Sequence, residues 1–309
     1  MAKNSTNVQA PITLWHRNLL TAAAILTILL IAMGGVLCVT QSIRDCPDWP
    51  GCFGRIVPPP ETGPILEYTH RLLAAVSGLL ILSAAIAGLA RAPRQRWITI
   101  PPLAAGVLLV EVSFFGALVV LRGLAPGWAA VDVGSALLAV ALMIAAAVVA
   151  HARSRNLALP DRLTFRSPFA RLVLATTSVV YAMLVSGILV AGKNPITGCL
   201  GWPIYSPQLF QVDEHVAGNI LRLGLSFAGI VMIVGVLVQA WHMKRDRSDI
   251  FRLARWVGVA FLIEALVQAL LLAFGFLVSL LVVYTVTMSA FWALLVTLLV
   301  RTGVNENAT

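Results

Sequence analysis

Two short stretches hold most of the residue types in this sequence that could do chemistry. The first is CPDWPGC, Cys46 to Cys52. Pro47 and Pro50 bend the chain between the two thiols and help bring the sulfurs within bonding reach. A disulfide is the first reading, and a redox-active pair exchanging electrons with a partner is the second. Metal binding is weaker with no His nearby, and two unpaired thiols are the plain alternative. The second stretch is EYTHR, Glu67 to Arg71. On a helix, spacings of three and four place Glu67, His70 and Arg71 on one face. The neutral imidazole of His70 can take a metal or a heme iron. Arg71 can pair with a carboxylate, either that of Glu67 or a propionate of a bound cofactor. The plain alternative is an interfacial Glu–Arg pair with His70 reaching for lipid headgroups.

Other ionisable residues are more scattered. Glu111, Asp132 and Glu264 stand in otherwise apolar runs. Ionisable groups at membrane depth are costly and tend to face a bundle interior or a ligand. Their alternatives are protonated acids, or partners of Arg122 or Arg222. His16, His151 and His242 fall near helix ends and are expected to meet headgroups or solvent. His215 opens the sixth apolar run, close to the place of His70 in the other half, and is the second candidate ligand. Cys38 reads as an apolar filler. Cys199 has no partner in its own loop, because Tyr205 stands where a second Cys is expected.

These residues must be positioned by membrane-spanning helices. The chain of 309 residues is 59% hydrophobic and 11% charged, with a mean hydropathy of +0.90. A soluble domain carries about 25% charged residues, so this chain lacks the polar surface to cover a water-facing globule. Apolar runs of about 20 residues recur along it, as bilayer-crossing helices require. They do not alternate as barrel strands would. The first run is too long for a signal-peptide core and is read as a retained helix. The runs predict helices at about 18–40, 66–91, 97–121, 126–151, 168–192, 216–242, 253–276 and 278–301. The last two are joined by a tight hairpin around Gly275 to Ser279.

The net charge of +9 does not indicate a nucleic-acid partner. Its basic residues sit in short connections, without the interleaved aromatics of a binding surface. Of the 22 Lys and Arg, 16 fall on one predicted side and 6 on the other. By the positive-inside rule both termini are expected in the cytoplasm, in an inner (plasma) membrane, with loops 41–65 and 193–215 facing outward.

The chain also repeats itself. GGVLCVTQSIRDCPDWPGC ends the first helix and SGILVAGKNPITGCLGWPIY ends the fifth, and each half carries a Glu in its third helix, Glu111 and Glu264. The expected architecture is all-α, with eight transmembrane helices as two pseudo-symmetric four-helix bundles inserted the same way. The divisions are a tail at 1–17, a first bundle at 18–151, a basic linker at 152–167, a second bundle at 168–301 and a tail at 302–309.

The stretches GGVLCVT, CPDWPGCFGRIVPP and ILEYTHRLLAAVSG together resemble the heme A synthase family. That family has eight helices in two similar four-helix bundles. The resemblance implies oxidation of a methyl of heme O to the formyl of heme A, for cytochrome oxidase biogenesis. It implies a catalytic role for Glu67, axial ligation of heme iron by His70, and a disulfide between Cys46 and Cys52. It also implies heme b or heme O as bound group, membrane lipid as environment, and heme O synthase or oxidase subunits as partners. The sequence departs from the family pattern of a His in each even-numbered helix. Asp132 stands where the fourth-helix His is expected, Asn219 or His215 serves in the sixth depending on alignment, and Tyr284 or Thr285 falls near the place in the eighth. The other reading is therefore a non-catalytic heme-binding paralogue acting as an oxidase assembly factor or subunit. A thiol–quinone oxidoreductase using Cys46 and Cys52 is a weaker third, because a second reactive pair is not evident in the sequence.

Overall fold

A computed structural model describes residues 12–156, 159, 161–189, 199 and 216–305. Among these, eight α-helices are long and apolar enough to cross a membrane. They are α1 (Leu14–Thr40), α2 (Thr62–Arg91), α3 (Arg96–Arg122), α4 (Pro126–Arg155), α5 (Pro168–Leu189), α6 (Val216–His242), α7 (Ser248–Phe274) and α8 (Val278–Asn305). The protein is a multi-pass, all-helical membrane protein. In lipid each amide must be satisfied within its own segment, and an unbroken helix does this.

Local chemistry sets the helix ends. Thr13 caps α1 by accepting from the His16 amide at 3.3 Å. Pro126 sits in the first turn of α4, where a missing amide hydrogen costs nothing. Gly275, at φ +81°, turns the chain between α7 and α8, which is the tight hairpin the sequence indicates. The helices run beyond the apolar cores at several ends. Thus α7 starts at Ser248 and takes in Arg252 and Arg255, since charged residues propagate a helix in the interface as well as apolar ones do.

Each group of four helices closes a ring. Helix α1 packs on α2, α2 on α3, α3 on α4 and α4 on α1; α5, α6, α7 and α8 repeat the same pattern. The rings meet through α4 against α8, α1 against α8, and α4 against α5. Exchanging the halves maps the last two contacts onto each other and the first onto itself, which fits a two-fold pseudo-symmetric pair of bundles. The third-helix acids follow the same pattern. Ser135 on α4 donates to the Glu111 carboxylate of α3 at 3.1 Å, and Thr287 on α8 donates to that of Glu264 on α7 at 2.5 Å. Both Glu residues thus face hydroxyls of the next helix.

At the end opposite the 41–61 loop, the connection between α4 and α5 touches both rings. The Asp161 carboxylate accepts from the Trp97 amide at 3.3 Å and lies 3.7 Å from Arg153. The Thr164 amide donates to the Gly303 carbonyl at 3.1 Å.

Two expectations about histidines change. His16 is buried, 2% exposed, rather than meeting headgroups or solvent. The end of α1 packs against α2, so the ring points into the helix pair instead of outward. His151 Nε2 lies 3.0 Å from Thr21 Oγ1, bridging α4 to α1. His242 is exposed, as expected.

Candidate functional site

The CPDWPGC loop leaves the end of α1 and returns to α2. Cys46 and Cys52 form a disulfide with Cα atoms 4.8 Å apart, and both are 0% exposed. The Asp48 carboxylate accepts from the amides of Phe53 and Gly54 at 2.6 Å each. Those two residues have positive φ, 55° and 64°, so the side chain satisfies amides that a tight left-handed turn would leave open. The Asp45 carboxylate occupies the space that a side chain at Gly63 would need. It thereby sits at the first turn of α2, where a negative charge is favoured.

Glu67 and Arg71 bind this loop to α2. The Glu67 carboxylate accepts from the Cys46 amide at 2.6 Å through Oε2, and pairs with Arg71 Nη2 at 2.5 Å through Oε1. Arg71 Nη1 donates to the carbonyls of Asp48, at 2.7 Å, and of Gly51. Glu67 is 3% exposed. Of the two partners open to Arg71 in the sequence, the structure pairs it with Glu67. A buried carboxylate with one oxygen on a cation and the other on an amide is held in one orientation.

His70 lies on the same face, one turn further in. Its Nε2 faces α1 at Gly34, where an added Cβ would come within 3.4 Å. Among the described residues no hydrogen bond reaches the His70 ring, so the imidazole is uncommitted. The adjoining Gly35 faces the other ring, where a Cβ would lie 2.9 Å from Thr285 Cβ on α8. The Gly34–Gly35 pair therefore lets α2 and α8 both approach α1 at one level.

Asp132 lies in the same four-helix ring, with Oδ1 buried and without a hydrogen-bond partner among the described residues. It is one turn before Ser135, which engages Glu111. His215 lies outside the described residues. No three His, Cys, Asp or Glu side chains converge as a metal site among the described residues. A heme needs only one or two axial ligands. An uncommitted imidazole beside a glycine fits that requirement in the first ring, with His70 the residue that would hold the iron.

The structure corrects the reading of Cys38, which is not an apolar filler: it forms a disulfide with Cys199, whose own loop offers no second Cys, with Cα atoms 5.6 Å apart, across 161 positions of sequence. A search for a partner within each loop misses it, because the bond joins the two halves. Cys38 lies one turn beyond Gly34 on α1, so the second half is covalently tied near the level of His70.

No family model matches the chain. It is 26% identical over 253 residues to the heme A synthase of Alkalihalophilus pseudofirmus, covering 78% of this chain and 80% of that protein. It is 26% identical over 289 residues to the heme A synthase of Shouchella clausii, covering 88% and 89% respectively. Against the heme A synthase of Halalkalibacterium halodurans it is 22% identical over 258 residues, covering 82% and 85%.

Proposed function

We propose, starting from the chain as a divergent member of the heme A synthase family, that it acts in heme A biosynthesis by oxidising a methyl of heme O to a formyl group, with the oxygen taken from water and four electrons passed to an external acceptor. The observation that carries this reading is the arrangement on α2. A carboxylate fixed by the Cys46 amide and Arg71 stands beside an uncommitted imidazole. His70 ligates the heme iron and so positions the porphyrin in the first ring. Glu67 stabilises positive charge that develops at the reacting methyl. Its two partners hold the charge in place before the reaction, and the low-dielectric surroundings strengthen its effect. Arg71 acts through Glu67 and the loop rather than on a propionate. Asp132, whose buried Oδ1 has no hydrogen-bond partner among the described residues, is a further polar contact for the porphyrin in this ring, and His215 is a further candidate ligand. The protein works in the plasma membrane with both termini cytoplasmic. Heme O synthase is the natural supplier of substrate and cytochrome oxidase the consumer of product.

One observation favours the second reading, a heme-binding paralogue that assists oxidase assembly. The 152-residue offset relating Gly35 to Gly187 carries Asp132 to Tyr284, and Tyr284 is 1% exposed. The second ring therefore fills with a phenol the place where a heme ligand would stand. The optical spectrum of the purified protein tests what the two readings share. A Soret band that is lost in His70→Ala supports heme binding in the first ring. A folded, heme-free protein from heme-replete cells rules out both readings.

A further inference from the structure

We infer that the 41–61 loop is a membrane anchor, whose tip inserts into the headgroup–acyl boundary of the leaflet at that end of the helices. Its apolar side chains are turned outward. Ile56 is 86% exposed, Val57 73%, Phe53 49% and Trp49 47%. These residues lie beyond the helix ends, so they are not part of the lipid-facing flanks of α1 and α2. Their exposure does not come from a loose chain. The disulfide, the Asp48 carboxylate and the Arg71 clamp fix the loop backbone from inside.

Two of the loop's three acids are engaged, Asp48 by the amides of Phe53 and Gly54 and Asp45 against Gly63; the third, Glu61, is exposed where the loop enters α2. Both cations, Arg44 and Arg55, are exposed. A surface that carries exposed aromatic and aliphatic side chains together with two guanidinium groups matches the membrane interface, where rings and acyl chains meet phosphates. The loop joins the ends of two membrane-spanning helices, which keeps it at that depth. The occupant is lipid, with preference for an anionic headgroup. This holds whichever chemistry the first ring performs.

All four cysteines are in disulfides, so one added thiol can be labelled alone. A nitroxide on Ile56→Cys, and separately on Val57→Cys, is compared with one on Glu61→Cys in the full chain. The protein is reconstituted into phosphatidylcholine vesicles with and without phosphatidylglycerol. Relaxation by oxygen relative to a water-soluble nickel chelate reads the depth of each label. The expected ratio at 56 and 57 exceeds that at 61 by about threefold or more. It is larger with phosphatidylglycerol, and the Arg44→Gln/Arg55→Gln variant abolishes that lipid dependence. Labels at 56 and 57 as accessible to the nickel chelate as the label at 61 overturn the proposal. Water accessibility in vesicles that is lost only when other membrane proteins are added also overturns it, and assigns the tip to a protein partner instead.

Discussion

The backbone amide of Cys46 donates to the Glu67 carboxylate at 2.6 Å, so the disulfide loop and the acid of α2 form one unit. Arg71 closes that unit by pairing with Glu67 and binding the loop carbonyls of Asp48 and Gly51. The 41–61 loop is therefore part of the site's construction, and damage to either side is felt on the other.

Arg71→Gln removes the cation and leaves a buried carboxylate with one amide for company. Breaking a buried pair from one side costs about 3–5 kcal/mol. The expected result is a lower Tm in detergent together with faster proteolysis within residues 41–61. Arg71→Lys should restore little, because a single ammonium cannot span the carboxylate and the loop carbonyls together. Unchanged loop proteolysis in Arg71→Gln contradicts the clamp.

The Cys38–Cys199 bond joins the two halves of the chain. A protease site inserted after Asn156, in the connection between the rings, makes this visible on a gel. After cleavage the two fragments should migrate together without reductant and separate with it. In Cys199→Ser they should separate in both conditions. Separation of the wild-type fragments without reductant would show that the bond is not formed.

Gly35 is set by the approach of α8. A Cβ there would come 2.9 Å from Thr285 Cβ and 3.2 Å from its Cγ2. Gly35→Val should destabilise the protein by about 1–3 kcal/mol through overpacking, read as a fall in Tm. Gly224 has nothing within 4 Å of its would-be Cβ, so Gly224→Ala should leave Tm nearly unchanged.

Glu264 is 1% exposed, and its Oε2 accepts from Thr287 while Oε1 has no partner among the described residues. An amide keeps an acceptor for Thr287 and brings no charge to bury, so Glu264→Gln should fold with a Tm close to wild type. Glu264→Leu leaves α7 and α8 without this hydroxyl contact and should lose about 1 kcal/mol. If both variants lose the same stability, the hydrogen bond is not what the position supplies.

The sequence carried the helices because their signal is additive: a long apolar run reads as a span whatever its detailed packing. The hairpin at Gly275 and the bond between Cys46 and Cys52 were legible for a similar reason, since both are local. Three features were not. The Cys38–Cys199 bond depends on which loops of different halves meet, and a search by repeat position compares each cysteine only with its own half. The inward burial of His16 depends on which face of α1 meets α2, and that amphipathic signal is weak where all faces are apolar. The double engagement of Glu67 is legible only in part. Its i,i+4 spacing to Arg71 suggests a pair, but no sequence pattern points to an amide 21 positions away.

If Glu67, held beside His70, acts on a bound heme, then expressing the chain in a host that makes heme O but no heme A, and extracting and separating the hemes, yields heme A with the wild-type chain. A folded, heme-loaded Glu67→Gln variant yields none above background. Heme A in equal amount from Glu67→Gln would contradict the role given to that carboxylate. Bound heme without heme A from the wild type would leave the assembly role in its place.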